Sequence, residues 1–473
     1  MIKLNKNNLS LIKNIDTFPN YNSHNKKNFI LHFGVGKFHR AHQAFFIHEI
    51  LNKNKDFAIV GVNVRTKKII DILKKQDFLY SLLECSNNEQ KIHIINSISN
   101  ILYGKEDKDQ IRDFISNAKN KVITLSITEK GYNYDNVKNS LDKTKNIIED
   151  FKDHYLSTAI SHLSYGLIER FKKTNENIYI LSCDNLSNNG NILKKVVKDF
   201  IFEVSKEPNY WLDEKVFFPN TMVDCIVPNN RSIPEGINLN YFDESPVICE
   251  PYKDWYIESD DTFLKSVFMH PRIKFVKNVS FYEDVKLKIL NSSHSAIAYL
   301  GLLFDYTYVH EAVADKRIDL FISRYLDNEV LPNIKVKDNF DITQYKKDVI
   351  ARFTNNFLNH RLDQIATDGS LKIPIRVMST YIKRVKEKDY SLTETIIAAW
   401  ILFLKSKSLT GKKINVYDAN FEILKDYLNL DKNKMINGII SIKKIFNIAE
   451  KEKDNLINNV IKKYISLENG NIF

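Results

Sequence analysis

The sequence predicts an α/β fold followed by a mostly helical half, and three observations carry that expectation. Residues 28–33 form a short apolar strand that runs into Gly34-Val35-Gly36, after which 44–51 has helical character. Further apolar strands at 57–64, 92–101, 121–128 and 178–181 alternate with helical stretches, the pattern of a doubly wound sheet. Beyond His294 every periodic segment has helical spacing: 296–304, 309–315, 318–326, 345–353, 373–385, 393–404, 421–428 and 441–464.

Residues 1–27 are polar and rich in Asn and Lys, and read as a loose leader without the apolar run of a signal peptide. The strand, glycine turn and helix that follow let backbone N–H groups face a pyrophosphate, the arrangement of a Rossmann-type dinucleotide-binding domain. Gly34 and Gly36 permit close approach, Phe38 lies in the same turn and Arg40 adds a cation. The third glycine of Gly-x-Gly-x-x-Gly is absent, so a plain tight turn fits these residues equally well. His39 and His42 lack the carboxylate or thiolate companions of a metal site.

The second strand ends at Asn63-Val64-Arg65-Thr66, where a carboxylate for the adenosine ribose is common; Arg65 keeps NADP open beside NAD. A helix is expected over 153–172. The strand after it delivers Ser182-Cys183-Asp184-Asn185-Leu186, a polar cluster where open α/β sheets bind ligands.

Residues 282–303 read as one uninterrupted helix. On it Asn291 and His294 are i, i+3 neighbours, and Lys286 lies roughly 12 Å before His294 and about 80° round the axis. Oxidation of a secondary alcohol needs a base for the hydroxyl proton and donors for the oxygen, which a lysine and an amide supply. An amphipathic helix with a solvated lysine satisfies the same pattern. Glu283, three residues before Lys286, shares its face.

The bulk numbers exclude several classes. With 43% hydrophobic and 27% charged residues in 473, the chain is an ordinary globular protein and disorder is not indicated. The net charge of +11 comes from lysines spread over the whole length, without interleaved aromatics, so no nucleic-acid partner is expected. Four scattered cysteines argue against zinc and disulfides, so no metal is expected. No stretch reaches ~20 apolar residues, so no membrane partner is expected, and a cytoplasmic location is.

The pattern Lys286-x4-Asn291-x2-His294, within Tyr-Glu-Asp-Val-Lys-Leu-Lys-Ile-Leu-Asn-Ser-Ser-His-Ser-Ala, resembles the signature of the polyol-specific long-chain dehydrogenases. That family includes mannitol 2-dehydrogenase, fructuronate reductase and D-arabinitol 4-dehydrogenase. Thr128-Glu129-Lys130-Gly131-Tyr132, Cys183-Asp184-Asn185-Leu186, Asn220-Thr221-Met222-Val223-Asp224, Glu250-Pro251-Tyr252 and Asp368-Gly369-Ser370-Leu371-Lys372 match further blocks in the family's order.

The resemblance implies a cofactor domain over 1–285 and a helical substrate domain over 286–473. It places Lys286 as the base, Asn185 and Asn291 as donors to the substrate oxygen, His294 on a substrate hydroxyl and Glu283 as a proton outlet. Thr128, Glu129, Lys130 and Asp224 are assigned to the cofactor, with NAD preferred. D-Mannitol and D-fructose are the first-choice substrates. Arg361, Lys372 and Arg376 would suit the carboxylate of a sugar acid instead. A monomer or a weak homo-oligomer is expected.

Overall fold

The structure, a computed structural model, describes residues 2–473 apart from 54–55, 137, 207–209, 230–232, 235, 338–339 and 385–389. It divides into two compact units, Met1–Ser280 and Phe281–Phe473.

The first unit is built on six parallel strands: β1 (Asn28–Phe33), β2 (Phe57–Asn63), β3 (Ile98–Tyr103), β4 (Val122–Leu125), β5 (Ile178–Ser182) and β6 (Val216–Phe217). Their spatial order is 3-2-1-4-5-6, that of the dinucleotide-binding doubly wound sheet. Helices α1 (Lys37–Ala41), α2 (Gln43–Leu51), α3 (Lys68–Lys75), α4 (Lys108–Ser116), α5 (Ala159–Lys173) and α6 (Asn189–Ser205) lie on the connections.

Alternate residues of β1 enter different cores. Ile30 packs with Phe45, Phe46 and Ile50 of α2, whereas Leu31 and Phe33 pack with Ile111 and Ile115 of α4 and Leu163 of α5. Both faces are therefore covered, which is why the strands read as continuous apolar runs.

Three expectations need correction here. The apolar run 92–101 is two strands: Gln90–Ile95 pairs antiparallel with Tyr80–Cys85, and Ile98–Tyr103 joins the main sheet as β3. The chain changes sheet at two buried polar residues. Ser97 donates to the Ala44 carbonyl and Asn96 to that of Asp77. The loose leader is in fact packed: Ile2–Lys3 pairs with Tyr241–Phe242, and Leu4, Ile12 and Ser23 are buried. The expected helix over 153–172 begins at Ala159, capped by Thr158, whose side chain accepts from the Ser161 N–H.

The second unit is helical. α7 (Ser280–Lys286) leads through a π-helical turn, Leu287–Asn291, into α8 (Ser292–Leu303), which packs against α9 (Ser391–Phe403). Nearly every residue of α8 and α9 is buried, so these two form the centre of the unit.

The run expected over 441–464 is helical only from Glu450, in the helix Glu450–Glu468; the stretch before it is turn and buries Ile445 and Phe446, whose spacing imitated a helical stripe. The segment expected as 373–385 divides into Gly369–Arg376 and Met378–Arg384, and Val385 lies outside the described residues. Among the described residues no helix is long and apolar enough to cross a membrane.

The α4–α5 contact depends on Gly166, where a Cβ would come within 2.6 Å of the Ile115 side chain. Helix propensity alone favours Gly166→Ala by up to about 1 kcal/mol. The overlap reverses the sign: chemical denaturation is expected to show the variant destabilised by about 1–3 kcal/mol.

Candidate active site

In the first unit a cavity of about 1080 Å³ opens at the carboxyl ends of β1, β2 and β4. It is lined by Gly34, Gly36 and Arg40 from the glycine turn, Arg65 and Lys68 past β2, and Thr128 past β4.

Gly34 has φ +96°, and a Cβ there would meet the Ser126 carbonyl oxygen at 2.1 Å, so the turn's path requires glycine. Gly36 differs: the nearest atom to an added Cβ is 3.9 Å away. Its missing side chain leaves backbone open to the cavity, as the pyrophosphate of a dinucleotide requires.

The missing third glycine has a structural counterpart. His39 stands in its place and stacks flat on His32 of β1, with ring centroids 3.4 Å apart. Both imidazoles are fully buried, and desolvation holds His32 down to about 3 and His39 well below its usual value. His32 contacts the Gly34 carbonyl through Nε2 and the Thr124 hydroxyl through Nδ1. A carbonyl only accepts, so Nε2 carries the proton and Thr124 donates to Nδ1. Arg40 is buried, donates to the Ser245 carbonyl and lies over the Tyr80 ring.

Asp184, left without a role by the sequence reading, organises the rim. Its carboxylate accepts from the backbone N–H groups of Ile127 and Thr128 and from the Tyr132 hydroxyl. Thr128 is thereby held at φ +65°, uncommon for a β-branched residue. Glu129 and Lys130 follow on an exposed turn and do not line the cavity. Neither does Phe38, stacked on His42, nor Asp224, buried on its strand. Asn185, next to Asp184, is exposed.

In the second unit Lys286 and His294 are buried, while Glu283 and Asn291 are partly exposed. The π turn between Lys286 and His294 was not legible in the sequence. It winds less per residue than an α-helix, so the 80° offset expected for an α-helix shrinks and the two residues move toward one face.

Carbonyls disturbed by the turn are satisfied by side chains: Ser292 donates to the Lys288 oxygen, and Ser295 and Arg376 donate to that of Asn291. Lys288, the neighbouring lysine, is fully buried in an ion pair with Asp284.

The His294 ring packs against Phe353 and His360, and its Nε2 has no hydrogen-bond partner among the described residues. Burial, then His360, Arg376, Arg352 and Lys372, keep it well below its usual pKa, so the imidazole is neutral. Lys372 donates to the Ile365 and Thr367 carbonyls. Arg361 is exposed and bound to Asp363 through two contacts. Among the described residues no group of three or more His, Cys, Asp or Glu is placed to hold a metal ion.

Burial raises the Asp184 carboxyl to about 6, against its backbone and Tyr132 hydrogen bonds. A raised acid pKa favours the folded state below the unfolded value, and that contribution is lost as pH rises from about 4 through about 6. Wild-type stability minus that of Asp184→Asn should therefore fall by at most about 3 kcal/mol over this window and then level off, measured by urea unfolding at each pH.

The comparisons with known proteins agree with this architecture. Residues 28–268 match the model of the mannitol dehydrogenase Rossmann domain, and 278–468 that of the mannitol dehydrogenase C-terminal domain. A mannitol dehydrogenase of Saccharomyces cerevisiae is 30% identical over 437 residues, covering 89% of this chain and 86% of its own. A mannitol 2-dehydrogenase of Emericella nidulans is 30% identical over 451 residues, covering 89% and 88%. The solved mannitol 2-dehydrogenase of Pseudomonas fluorescens, in ternary complex with NAD and D-mannitol, superposes with a TM-score of 0.89 at 28% identity, over 100% of this chain and 98% of that one. With both of its units matched in order by these models, the chain belongs to the mannitol dehydrogenase family of polyol dehydrogenases.

Proposed function

We propose that this chain interconverts a sugar alcohol and its ketose with a nicotinamide dinucleotide, and that the pair is D-mannitol and D-fructose. The observation that carries the reading is His294: a buried neutral imidazole with an unsatisfied Nε2, one turn beyond Asn291 and on the same helical run as the buried Lys286. A buried ring nitrogen without a partner calls for a ligand hydroxyl.

In this mechanism Lys286 takes the proton from the reacting hydroxyl, and the carbinol hydrogen leaves as hydride. Hydride acceptance is the chemistry that a bound nicotinamide dinucleotide would supply. Asn291 donates to the oxygen as it becomes a carbonyl, His294 bonds a neighbouring hydroxyl, and Glu283 passes the lysine's proton to water. Gly34, Gly36, Arg40 and Thr128 are the residues that would hold the dinucleotide. The relatives named for mannitol, and the NAD and D-mannitol in the complex from Pseudomonas fluorescens, support the assignment.

The alternative is a sugar acid, as in fructuronate reductase. The cations that would grip its carboxylate already hold other groups: Arg361 holds Asp363, Lys372 two carbonyls, and Arg376 the Asn291 carbonyl and Ser295. Those contacts favour a neutral polyol; D-arabinitol is the remaining comparison.

Initial rates with D-mannitol, D-arabinitol and D-mannonate are expected to rank mannitol first; mannonate ahead of it would move the assignment to uronates. Lys286→Ala is expected to lower kcat by about 10²–10⁴ while dinucleotide affinity, read by fluorescence titration, stays. Ordinary turnover in that variant would remove Lys286 as the base.

A further inference from the structure

We propose that the adenosine end of the first unit's cavity is built for a 2′-phosphate, so that this chain binds NADP(H) more tightly than NAD(H). The inference rests on the dinucleotide reading above.

β2 ends at Asn63 and is followed by Val64-Arg65-Thr66-Lys67-Lys68, with no carboxylate before Asp71. In a sheet of order 3-2-1-4-5-6 the segment past the second strand meets the adenosine ribose. A carboxylate there binds the 2′-hydroxyl and repels a 2′-phosphate; an arginine does the reverse.

In this chain the position carries several cations. Arg65, Thr66 and Lys68 line the cavity, and Lys105 joins them from the turn after β3. Among the described residues neither Arg65 nor Lys68 takes part in an ion pair; Lys67, which does not line the cavity, is the one bound to Glu106. The Lys105 ammonium lies 5.4 Å from the centroid of the Tyr155 ring, a contact that supplies no neutralising carboxylate. The Thr66 hydroxyl accepts from the Lys68 N–H and orders the turn that presents them.

Glu244 is the acidic residue among those that line the cavity, and its backbone is held at the far end of α3 from Lys68. Its backbone N–H donates to the side chain of Gln76, the C-cap of α3, whereas Lys68 is the first residue of that helix. Eight residues of helix separate the two by about 12 Å. The ribose end therefore offers one guanidinium and two ammonium groups without an anion, which suits a dianionic phosphate.

Dissociation constants of NADP⁺, NAD⁺, adenosine 2′,5′-bisphosphate and 5′-AMP for the full chain, read by calorimetry, test this. NADP⁺ is expected to bind at least roughly tenfold tighter than NAD⁺, and the bisphosphate tighter than AMP in the same sense, both preferences shrinking as salt is raised. Replacing Arg65→Ala and Lys68→Ala together is expected to lower the NADP⁺/NAD⁺ affinity ratio by roughly tenfold or more. If those replacements prevent folding, the two mononucleotides still decide the matter on the unaltered chain. NAD⁺ binding as tightly as NADP⁺ overturns the inference and leaves the dinucleotide reading intact. Failure of both dinucleotides to bind overturns both. A doubly substituted chain that keeps its full preference overturns the assignment to these side chains.

Discussion

The turns at the carboxyl ends of the parallel strands carry backbone groups that no ladder pairs, and the first unit is organised around side chains that satisfy them. Asn63, at the end of β2, accepts from the Val35 N–H inside the glycine turn. His32 takes the Gly34 carbonyl. Asp184 takes two N–H groups of the turn past β4. Asn189, opening α6, donates to the Ser182 and Thr221 carbonyls and accepts from the Thr221 N–H. The polar groups that close the sheet thus also shape the rim of the cavity. The rim is held in place before any ligand arrives, which lowers the ordering cost of binding.

The second unit meets the same demand in a helix. A π turn disturbs the regular i to i−4 ladder, and the structure answers with Ser292, Ser295 and Arg376 on the affected carbonyls. The result is a segment fixed from outside, with Lys286 before it, Asn291 at its end and His294 just after. Arg376 reaches this segment from the helix Gly369–Arg376, and Lys372 braces the turn that precedes that helix. Arg376, one of the residues that suggested a carboxylate clamp in the sequence, is in the fold a support of the candidate catalytic helix.

Buried histidines illustrate how environment decides chemistry. His32, His39 and His294 are all kept neutral by desolvation. The first two are spent on packing beneath the glycine turn, where a stacked imidazole pair fills the room a third glycine would have left. His39 also carries unsatisfied ring nitrogens; His294 differs in standing on the helical run that carries Lys286 and Asn291, where its unsatisfied nitrogen is available for recognition. Sequence spacing alone treats the three alike.

The strand, glycine turn and helix at 28–51, the alternation that follows and the helical second half were legible because hydrophobic periodicity and glycine placement are local properties. So was the constellation of Lys286, Asn291 and His294, since its members lie within nine residues of one helical run. What the sequence left open were features made by distant residues meeting. The break at Asn96-Ser97, the packing of the N-terminal segment, the start at Glu450 of the helix expected over 441–464, the π turn and the role of Asp184 all depend on partners far away in the chain. Local pattern determines which element a segment forms; only the tertiary structure decides which buried polar groups it must satisfy, because that depends on what is packed against it.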